Sequence, residues 1–354
     1  MFGLVATYDV LAQLPLEVDT YALERLEQAV STEFTRVTTV VRLRGGGEEG
    51  VGEDVTYSSD AQALFQERVT DLPLGGSHEL DSFSQLLDRL ELFPRAPEMA
   101  AYREYRRWAF ESAALDLALR QAGRSLAEAV EREPKPVRFV VSMGLGDPPS
   151  IDRVRGWLEL YSGLEFKLDA RSSWDESLVA ELAALDCVES IDLKGQYSGT
   201  VVDQPPDPRL YRLVVEGFPE AFIEDPALTE ETDPILEPHR DRITWDAIIH
   251  SVEDIEGLPF PPRTVNIKPS RFGSLRQLMD AYDYCDAKGI KPYGGGQFEL
   301  GPGRGQIQYL ASLFHPDAPN DVAPRGFNLP EPAPGLPSSP LAPATAPTGF
   351  RWSD

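Results

Sequence analysis

The sequence has little cysteine and little lysine. Its two cysteines, Cys187 and Cys285, lie in helix-like or apolar segments, so their spacing indicates neither a disulfide framework nor a zinc site. Of the 33 basic residues only six are lysine, and these are Lys135, Lys167, Lys194, Lys268, Lys288 and Lys291. A desolvated lysine can release a proton near neutral pH, whereas arginine cannot. A lysine at the end of a predicted strand is therefore a candidate acid/base group in this chain.

Positive charge is scarce overall. The formal net charge is −25, and a nucleic acid or an anionic membrane would meet a repulsive field. We therefore expect no nucleic acid and no membrane as a partner. The opening residues, MFGLVATYDVLAQLPLEVD, have neither a basic segment nor a long apolar run. This predicts no signal peptide and no membrane span, and leaves the cytoplasm as the expected location.

The first 130 residues differ in pattern from the remainder. Residues 35–44 and 51–57 are strand-like and are separated by a glycine-rich turn, which predicts an antiparallel hairpin. Helical patterns follow, and the clearest spans residues 99–122. A small sheet followed by helices predicts an α+β domain over residues 1–130.

From residue 136 onward, predicted strands and helices alternate. At least six such units favour a parallel sheet, and at this length a closed α/β barrel over residues 131–322. No glycine-rich dinucleotide fingerprint follows the first strand, which disfavours an open, nucleotide-binding sheet. Residues 323–354 are rich in proline and alanine. This tail is either an extended arm without its own core or a segment that packs back on the protein through Phe350 and Trp352.

Ionisable residues recur at the ends of the predicted barrel strands. They are Lys167, Asp169, Asp192, Lys194, Glu224, Asp225, Asp246, Lys268 and, in the final loop, Glu299. The steps between residues 167, 192, 224, 246 and 268 are 25, 32, 22 and 22 residues, about one strand–helix unit each. In a barrel these side chains would converge on one face, and three carboxylates from successive strands suit Mg²⁺. Any single acid could equally cap the next helix, so their recurrence in step is what predicts a site.

Several segments resemble the enolase superfamily, specifically its muconate-lactonizing enzyme and o-succinylbenzoate synthase branch. EEGVGEDVTY at 48–57 is similar to the family's capping-domain segment, and residues 108–126 are similar to its interdomain helix. AFIEDP at 221–226 is similar to its fourth-strand motif. The longest likeness, NIKPSRFGSLRQ at 266–277 with CDAKGIKPYGGGQFELGPG at 285–303, is to the sixth and seventh strands. The resemblance implies an enolase-type (β/α) barrel with an N-terminal α+β capping domain.

The resemblance also implies roles for these residues. Asp192, Glu224 and Asp246 would bind the metal, which would be Mg²⁺ or alternatively Mn²⁺. Lys268 would be the acid/base group and Lys167 its counterpart on the second strand. The implied reaction is abstraction of a proton α to the carboxylate of a small molecule, with the metal stabilising the enediolate. We expect a lyase or isomerase that performs an o-succinylbenzoate synthase-like dehydration or a related cycloisomerisation.

Three positions depart from the family's pattern. Asp169 stands where a second lysine of the second strand is expected, Lys194 where a neutral asparagine is common, and Ala247 where an acidic pair is usual. These departures leave open two alternatives, a dipeptide epimerase of the same branch and a barrel that has lost catalysis and serves as a binding or scaffold protein. An epimerase needs a base on each face of its substrate, so an inert Lys167 would count against it.

Histidine chemistry is disfavoured at the predicted seventh strand. None of the four histidines falls there, where other branches of the superfamily place a histidine base; they are His78, His239, His250 and His315. Among them, His250 follows three apolar residues and is the candidate for a core histidine.

The sequence leaves the substrate and the oligomeric state open. Lys194, Gly296 and Glu299 are candidate substrate-binding residues, and the capping-domain loops near residues 14–20 and 58–60 would select the substrate. A homo-oligomer is neither predicted nor excluded.

Overall fold

The computed structural model describes residues 6–30, 34–197 and 203–352. Its N-terminal part combines antiparallel strands with helices, which are α1 (Thr7–Ala12), β1 (Pro15–Val18), β2 (Thr20–Ala29), β3 (Thr35–Gly45), β4 (Glu48–Asp54), α2 (Ser59–Arg68), β5 (Gly76–Glu79), α3 (Leu80–Leu87), α4 (Tyr102–Gln121) and α5 (Leu126–Ala129). Strands β2, β3 and β4 form one antiparallel sheet in that order, and β1 pairs with β5. The predicted α+β domain is confirmed.

Two details of this domain differ from the sequence prediction. The predicted hairpin is present as β3 and β4, but β2 adds a third strand. The TYALERLEQA sequence of β2 mixes charged and apolar residues, and its side chains stay exposed or half-buried, so its strand pattern is weak. Residues 14–20, expected as a loop, contain β1. Leu16 and Val18 of β1 are buried while Pro15 and Glu17 are exposed, the alternation of a strand that covers a core with one face.

Helix α4 packs directly on strand β4. A Cβ atom at Gly50 would lie 2.2 Å from the carbonyl oxygen of Ala113, and one at Gly52 would lie 2.1 Å from that of Ala109. The absence of a side chain at both positions therefore lets the helix backbone approach the strand backbone.

The C-terminal part alternates strands with helices as the sequence predicts. Its elements are β6 (Val140–Gly144), α6 (Asp152–Leu160), β7 (Glu165–Asp169), α7 (Glu176–Ala183), β8 (Val188–Asp192), α8 (Pro208–Gly217), β9 (Phe222–Glu224), α9 (Asp233–Leu236), β10 (Ile243–Thr244), α10 (Val252–Glu256), β11 (Thr264–Ile267), α11 (Pro269–Phe272), α12 (Leu275–Lys288), β12 (Lys291–Gly294) and α13 (Pro302–Phe314). Short 3-10 helices span Glu237–Arg242 and Arg325–Asn328. Strands β6 to β10 form one parallel sheet, and β11 pairs in parallel with β12.

Hydrogen bonds outside the two sheets join them into a barrel. The amide of Asn266 donates to the carbonyl oxygen of Trp245 at 2.9 Å and joins β11 to β10. On the other side, residues 320–321 lie between β12 and β6. The amide of residue 321 donates to Gly294 and the amide of Val140 donates to residue 320, both at 2.8 Å. Residues 320–321 therefore take the place of an eighth strand, and the predicted (β/α) barrel is confirmed.

The C-terminal tail runs back over both parts of the protein. Leu341 exchanges backbone hydrogen bonds with Val137 beside the barrel, at 2.7 and 2.9 Å. Further on, the amide of Phe350 and the Nε atom of Arg351 each donate to the Asp116 carboxylate of α4 at 2.8 Å. Phe350 is fully buried.

The domain boundaries at residues 130 and 322 stay a prediction.

The structure can be compared with the expectations about the two cysteines and about membrane-spanning helices. Cys187 and Cys285 are free, buried thiols. Within residues 6–30, 34–197 and 203–352, no helix combines the length and the apolar character needed to cross a bilayer.

His315, rather than His250, is the buried histidine of the four. It lies at the end of α13, where Nδ1 is 2.6 Å from Asn320 Oδ1 and Nε2 is 3.2 Å from the hydroxyl of Tyr282. His250 is half-buried. Burial lowers the pKa of His315 to about 4. Because the amide oxygen of Asn320 can only accept, Nδ1 donates to it and Nε2 is the nitrogen that protonation would change, inside a buried site.

We expect the protonation of His315 to reduce stability in mild acid. The unfolded chain binds a proton at this histidine near pH 6.5, whereas the folded chain does so only near pH 4. The neutral, buried His315 therefore makes its full contribution to the free energy of unfolding above about pH 6.5. This contribution is lost as the pH falls from about 6.5 to about 4, and the free energy of unfolding is lower by about 2 kcal/mol at pH 5. Denaturant unfolding at pH 8 and pH 5 should show this loss in the wild-type protein and a smaller loss in His315→Gln. His250→Gln is the matched control and should behave as the wild type. Equal pH dependence in His315→Gln and wild type would contradict the assignment.

Candidate active site

The carboxyl ends of neighbouring barrel strands bring together the charged residues predicted from the sequence. These residues are Lys167 within β7, Asp192 at the end of β8, Glu224 at the end of β9, Asp246 shortly after β10 and Lys268 directly after β11. All five are buried. Their convergence follows from the parallel register, in which Asp192 is the cross-strand partner of Glu224.

Three carboxylates form a group that could hold a cation. One oxygen from each of Asp192, Glu224 and Asp225 lies within 4.8 Å of the others, and all three side chains are fully buried. Burial and the neighbouring carboxylates raise the pKa of Glu224 and of Asp225 above the usual value. A positive ion among them would relieve both the burial cost and the repulsion. The all-oxygen donor set therefore fits a hard divalent cation such as Mg²⁺.

Asp246 lies beside this group, and its carboxylate is paired with other side chains. Lys268 Nζ is 2.8 Å from Asp246 Oδ2, Arg271 Nη1 is 2.7 Å from Oδ1, and the hydroxyl of Tyr197 donates to Oδ2 at 3.1 Å. Burial alone would raise the pKa of Asp246, but Arg271 and Lys268 lower it far below the usual value. Asp246 is thus held as a carboxylate by two cations, and its role as a metal ligand stays a prediction.

Asp225, which the resemblance did not single out, connects two strands. Its Oδ1 and Oδ2 atoms accept hydrogen bonds from the backbone amides of Asp246 (2.8 Å) and Ala247 (2.9 Å). Its φ angle of +48° lies in the left-handed region, which is costly for a residue other than glycine. The carboxylate therefore fixes the backbone after β10 while remaining close to Asp192 and Glu224.

Lys167 is enclosed by carboxylates. Its Nζ atom contacts Glu224 Oε1 directly and lies 3.7 Å from both Asp192 Oδ2 and Asp321 Oδ2. Its side chain is 3% exposed. Burial lowers the pKa of Lys167, but the surrounding carboxylates outweigh burial and raise it well above the usual value. Lys167 is therefore held as a fixed positive charge.

Lys194 lies at the rim of the same group. Its backbone amide donates to Asp192 Oδ1 at 2.8 Å, and its Nζ atom is 2.5 Å from Asp192 Oδ2 and 3.1 Å from Asp169 Oδ1. Its side chain is 17% exposed. Of the candidate substrate-binding residues, Lys194 is the one that contacts the carboxylate group.

Gly296 and Glu299, the other two candidates, belong to the loop after β12. Glu299 Oε1 accepts a hydrogen bond from the amide of Gln297 at 2.6 Å, and Oε2 is 3.1 Å from Arg304 Nη2. A Cβ atom at Gly296 would lie 2.4 Å from Glu299 Oε2. The loop is therefore folded on itself, and no described contact links either residue to the carboxylate group.

Residues of the N-terminal domain hold this loop against the barrel. Arg36 of β3 donates to the carbonyl oxygen of Gln297 at 2.8 Å. Glu53 of β4 accepts hydrogen bonds from backbone amides at the start of α13, which are those of Leu300, Gly301 and Gly303. The loop reaches the site at Gly295, where a Cβ atom would lie 2.6 Å from Lys268 Cε. The capping domain therefore determines how closely the loop covers Lys268.

Four residues of the site were missed in the sequence, and one of them is Tyr197, which donates to Asp246. Arg271 follows Lys268 by three residues in a short helix, a spacing that places both on one side and could have indicated it. The hydroxyl of Tyr293 in β12 donates to Glu224 Oε2. Asp321 lies beyond the last predicted strand, where no pattern indicated it.

Comparisons with known proteins agree with this architecture. Two family models match the chain, the domain of unknown function DUF8230 N-terminal domain over residues 9–129 and the DUF8230 C-terminal domain over residues 133–329. An N-succinylamino acid racemase from Amycolatopsis sp is 29% identical over 309 residues, 82% of this chain and 80% of that protein. An o-succinylbenzoate synthase from Geobacillus stearothermophilus is 27% identical over 228 residues, 61% of this chain and 58% of that protein.

Solved structures share the fold at low sequence identity. An enolase-superfamily member from Enterococcus faecalis V583 superposes with a TM-score of 0.69 at 18% identity, over 95% of this chain and 94% of that one. Muconate lactonizing enzyme from Pseudomonas putida gives a TM-score of 0.65 at 18% identity, over 94% and 96%. The resemblance inferred from the sequence is confirmed. The chain belongs to the DUF8230 family, and its fold is that of the enolase superfamily, with sequence relatives in the o-succinylbenzoate synthase branch.

Proposed function

We propose that the protein removes a proton α to the carboxylate of a small molecule with the help of a divalent cation. The specific reaction proposed is an o-succinylbenzoate synthase-like dehydration or a related cycloisomerisation. The observation that carries the proposal is the position of Lys268. Its ammonium group lies 2.8 Å from Asp246, at the same end of the barrel as the buried oxygens of Asp192, Glu224 and Asp225.

The residues that would hold Mg²⁺ or Mn²⁺ are Asp192 and Glu224, with Asp225 or Asp246 as the third oxygen donor. Carboxylate oxygens are the ligands that these hard cations prefer. When bound, such a cation would stabilise the negative charge that develops on the substrate carboxylate as its α-proton leaves. The surrounding protein excludes water from these carboxylates, which strengthens every charge interaction among them.

Lys268 is the group best suited to move the proton. Its Nζ atom pairs with the single carboxylate of Asp246, whereas Nζ of Lys167 lies within 4 Å of three carboxylates. In a dehydration, Lys268 would act in its neutral amine form, take the proton from the α-carbon to become the ammonium group, and return that proton to the departing hydroxyl group, which leaves as water. One base on one face of the substrate is sufficient for this reaction.

Racemisation or epimerisation is the second candidate, favoured by the similarity to an N-succinylamino acid racemase. Such a reaction needs a second base on the opposite face of the substrate. Lys167 is enclosed and Asp169 stands nearer the end of the same strand. We therefore rank one-base dehydration above it.

Thermal unfolding with added Mg²⁺ tests the metal site. At about 100 times its dissociation constant, Mg²⁺ should stabilise the wild-type protein by roughly 2.7 kcal/mol, which raises Tm visibly. Asp192→Asn and Glu224→Gln should remove the rise, since each deletes a charge and weakens a ligand. Glu189→Gln on β8 should retain it, because the Glu189 side chain is 33% exposed and pairs with Arg138.

Two further variants compare the candidate third ligands. The rise in Tm should be smaller in whichever of Asp225→Asn and Asp246→Asn removes a ligand. A wild-type Tm that responds to neither Mg²⁺ nor Mn²⁺ would contradict the proposed metal dependence and favour a binding or scaffold role.

Exchange of the α-proton in deuterated solvent tests Lys268. With Mg²⁺ and a panel of N-succinylamino acids, loss of the α-proton signal by NMR should slow by about 10²- to 10⁴-fold in Lys268→Ala, because the base is removed. The rise in Tm with Mg²⁺ should survive in this variant. Lys291→Ala, which changes an exposed lysine of β12, is the control.

Two readouts separate the reaction classes. Release of o-succinylbenzoate from its hydrated precursor, followed by ultraviolet absorbance, indicates dehydration. Exchange that starts from either enantiomer indicates racemisation. Retained exchange in Lys268→Ala would remove Lys268 from the mechanism.

A further inference from the structure

Lys194 holds both oxygens of the Asp192 carboxylate. Its backbone amide donates to Oδ1 at 2.8 Å, and its side-chain ammonium group is 2.5 Å from Oδ2. The φ angle of Lys194 is +55°, in the left-handed region that side chains other than glycine's enter at a cost. This turn lets one residue direct both its amide and its ammonium group at a carboxylate two positions earlier.

The ammonium group of Lys194 and a divalent cation compete for the same oxygen. Asp192 is fully buried, its Oδ1 accepts the backbone amide and its Oδ2 contacts the ammonium group, so a cation that used Oδ2 would share that oxygen with Lys194. Two positive groups on one oxygen would lie within about 5 Å of each other and repel strongly in a buried setting. A cation at Asp192 therefore requires Lys194 Nζ to leave Oδ2.

Asp169 offers Lys194 a second partner. It is the cross-strand neighbour of Asp192, and its Oδ1 atom is 3.1 Å from Lys194 Nζ. This oxygen is buried and accepts no hydrogen bond among the described residues, so its ion-pair contact with Lys194 leaves it free to accept one. Nζ needs to move only a short distance to leave Asp192 and remain paired with Asp169. The ring of Tyr197, whose centroid is 5.2 Å from Nζ, provides further attraction for a cation at this position.

We propose that Asp169 and Lys194 form an exchange pair, in which Asp169 receives the ammonium group of Lys194 when a divalent cation takes its place on Asp192. This inference rests on the proposed metal site and adds a mechanism for loading it. The two departures of the sequence from the family's pattern, an acid on β7 and a base after β8, then act together. Lys194 compensates the buried Asp192 charge before the metal binds, and Asp169 lowers the cost of displacing it.

A double-mutant cycle on metal affinity tests the exchange pair. Mg²⁺ binding is measured by titration calorimetry for the wild type, Lys194→Gln, Asp169→Asn and the double variant. Lys194→Gln should tighten binding about tenfold, because it removes the ammonium group in contact with Asp192 Oδ2, while Lys167, 3.7 Å from that oxygen, is unchanged in all four proteins. Asp169→Asn should weaken binding about tenfold in the wild-type background. In the Lys194→Gln background the same change should alter binding less than about twofold, because no ammonium group remains to be received.

Each outcome of this cycle either supports or contradicts the exchange pair. An equal loss from Asp169→Asn in both backgrounds means that Asp169 attracts or binds the metal directly, and overturns the exchange pair while leaving the metal site in place. Weaker binding in Lys194→Gln also overturns it. Binding in Lys194→Gln but not in the wild type supports it, since the lysine then outcompetes the metal. Mg²⁺ binding in none of the proteins overturns both the pair and the proposed metal dependence. A parallel cycle with Lys194→Ala and Asp169→Ala, checked by circular dichroism, replaces any variant that does not fold.

Discussion

Charge compensation inside the barrel is the constraint on which the site depends. Four buried carboxylates meet at the strand ends, those of Asp192, Glu224, Asp225 and Asp246. An uncompensated buried charge costs several kcal/mol, so such a group persists only with positive partners. Lysine and arginine side chains from β7, from the segment after β8 and from the segment after β11 supply them. Removing one of these positive side chains leaves a buried carboxylate uncompensated, so single substitutions here change the free energy of unfolding as well as the chemistry of the site.

The capping domain extends this dependence beyond the barrel. Glu53, 1% exposed, places its carboxylate at the start of α13, where backbone amides and the helix dipole favour negative charge. Arg36 is fully buried and is satisfied by carbonyl oxygens on both sides of the domain boundary, including those of Val55 and Gln297. Because these contacts set the path of the glycine-rich loop that passes Lys268, the two domains form the site jointly.

The sequence contained enough information for the barrel and for much of the site. Strands that are covered on both faces appear in the sequence as short apolar runs. Charged residues recur at the ends of those runs with the period of one strand–helix unit. The position of Lys268 after β11 followed from these two patterns. The third strand of the small sheet did not, because the side chains of β2 are exposed or half-buried and several along its length are charged.

Features set by contacts between distant segments could not be read from local patterns. Residues 320–321 close the barrel through hydrogen bonds to β6 and β12 and have no strand pattern of their own. Asp225 and Asp246 are the same residue type, and each closely follows a strand. They differ because Arg271 and Lys268 pair with the Asp246 carboxylate, whereas backbone amides donate to that of Asp225. Likewise His315 is buried because the tertiary fold places Tyr282 and Asn320 around it.

The two lysines on β7 and after β11 show how surroundings separate residues of one type. Three carboxylates around Lys167 stabilise its charged form, and a proton held this firmly is a poor participant in catalysis. Lys268 shares one carboxylate with Arg271, and its Cε atom packs closely against the backbone at Gly295. A proton that leaves the substrate therefore has one suitable acceptor among these two. A site with Lys268 as its base suits a reaction in which the proton returns on the face from which it was taken, and the proposed dehydration has that property.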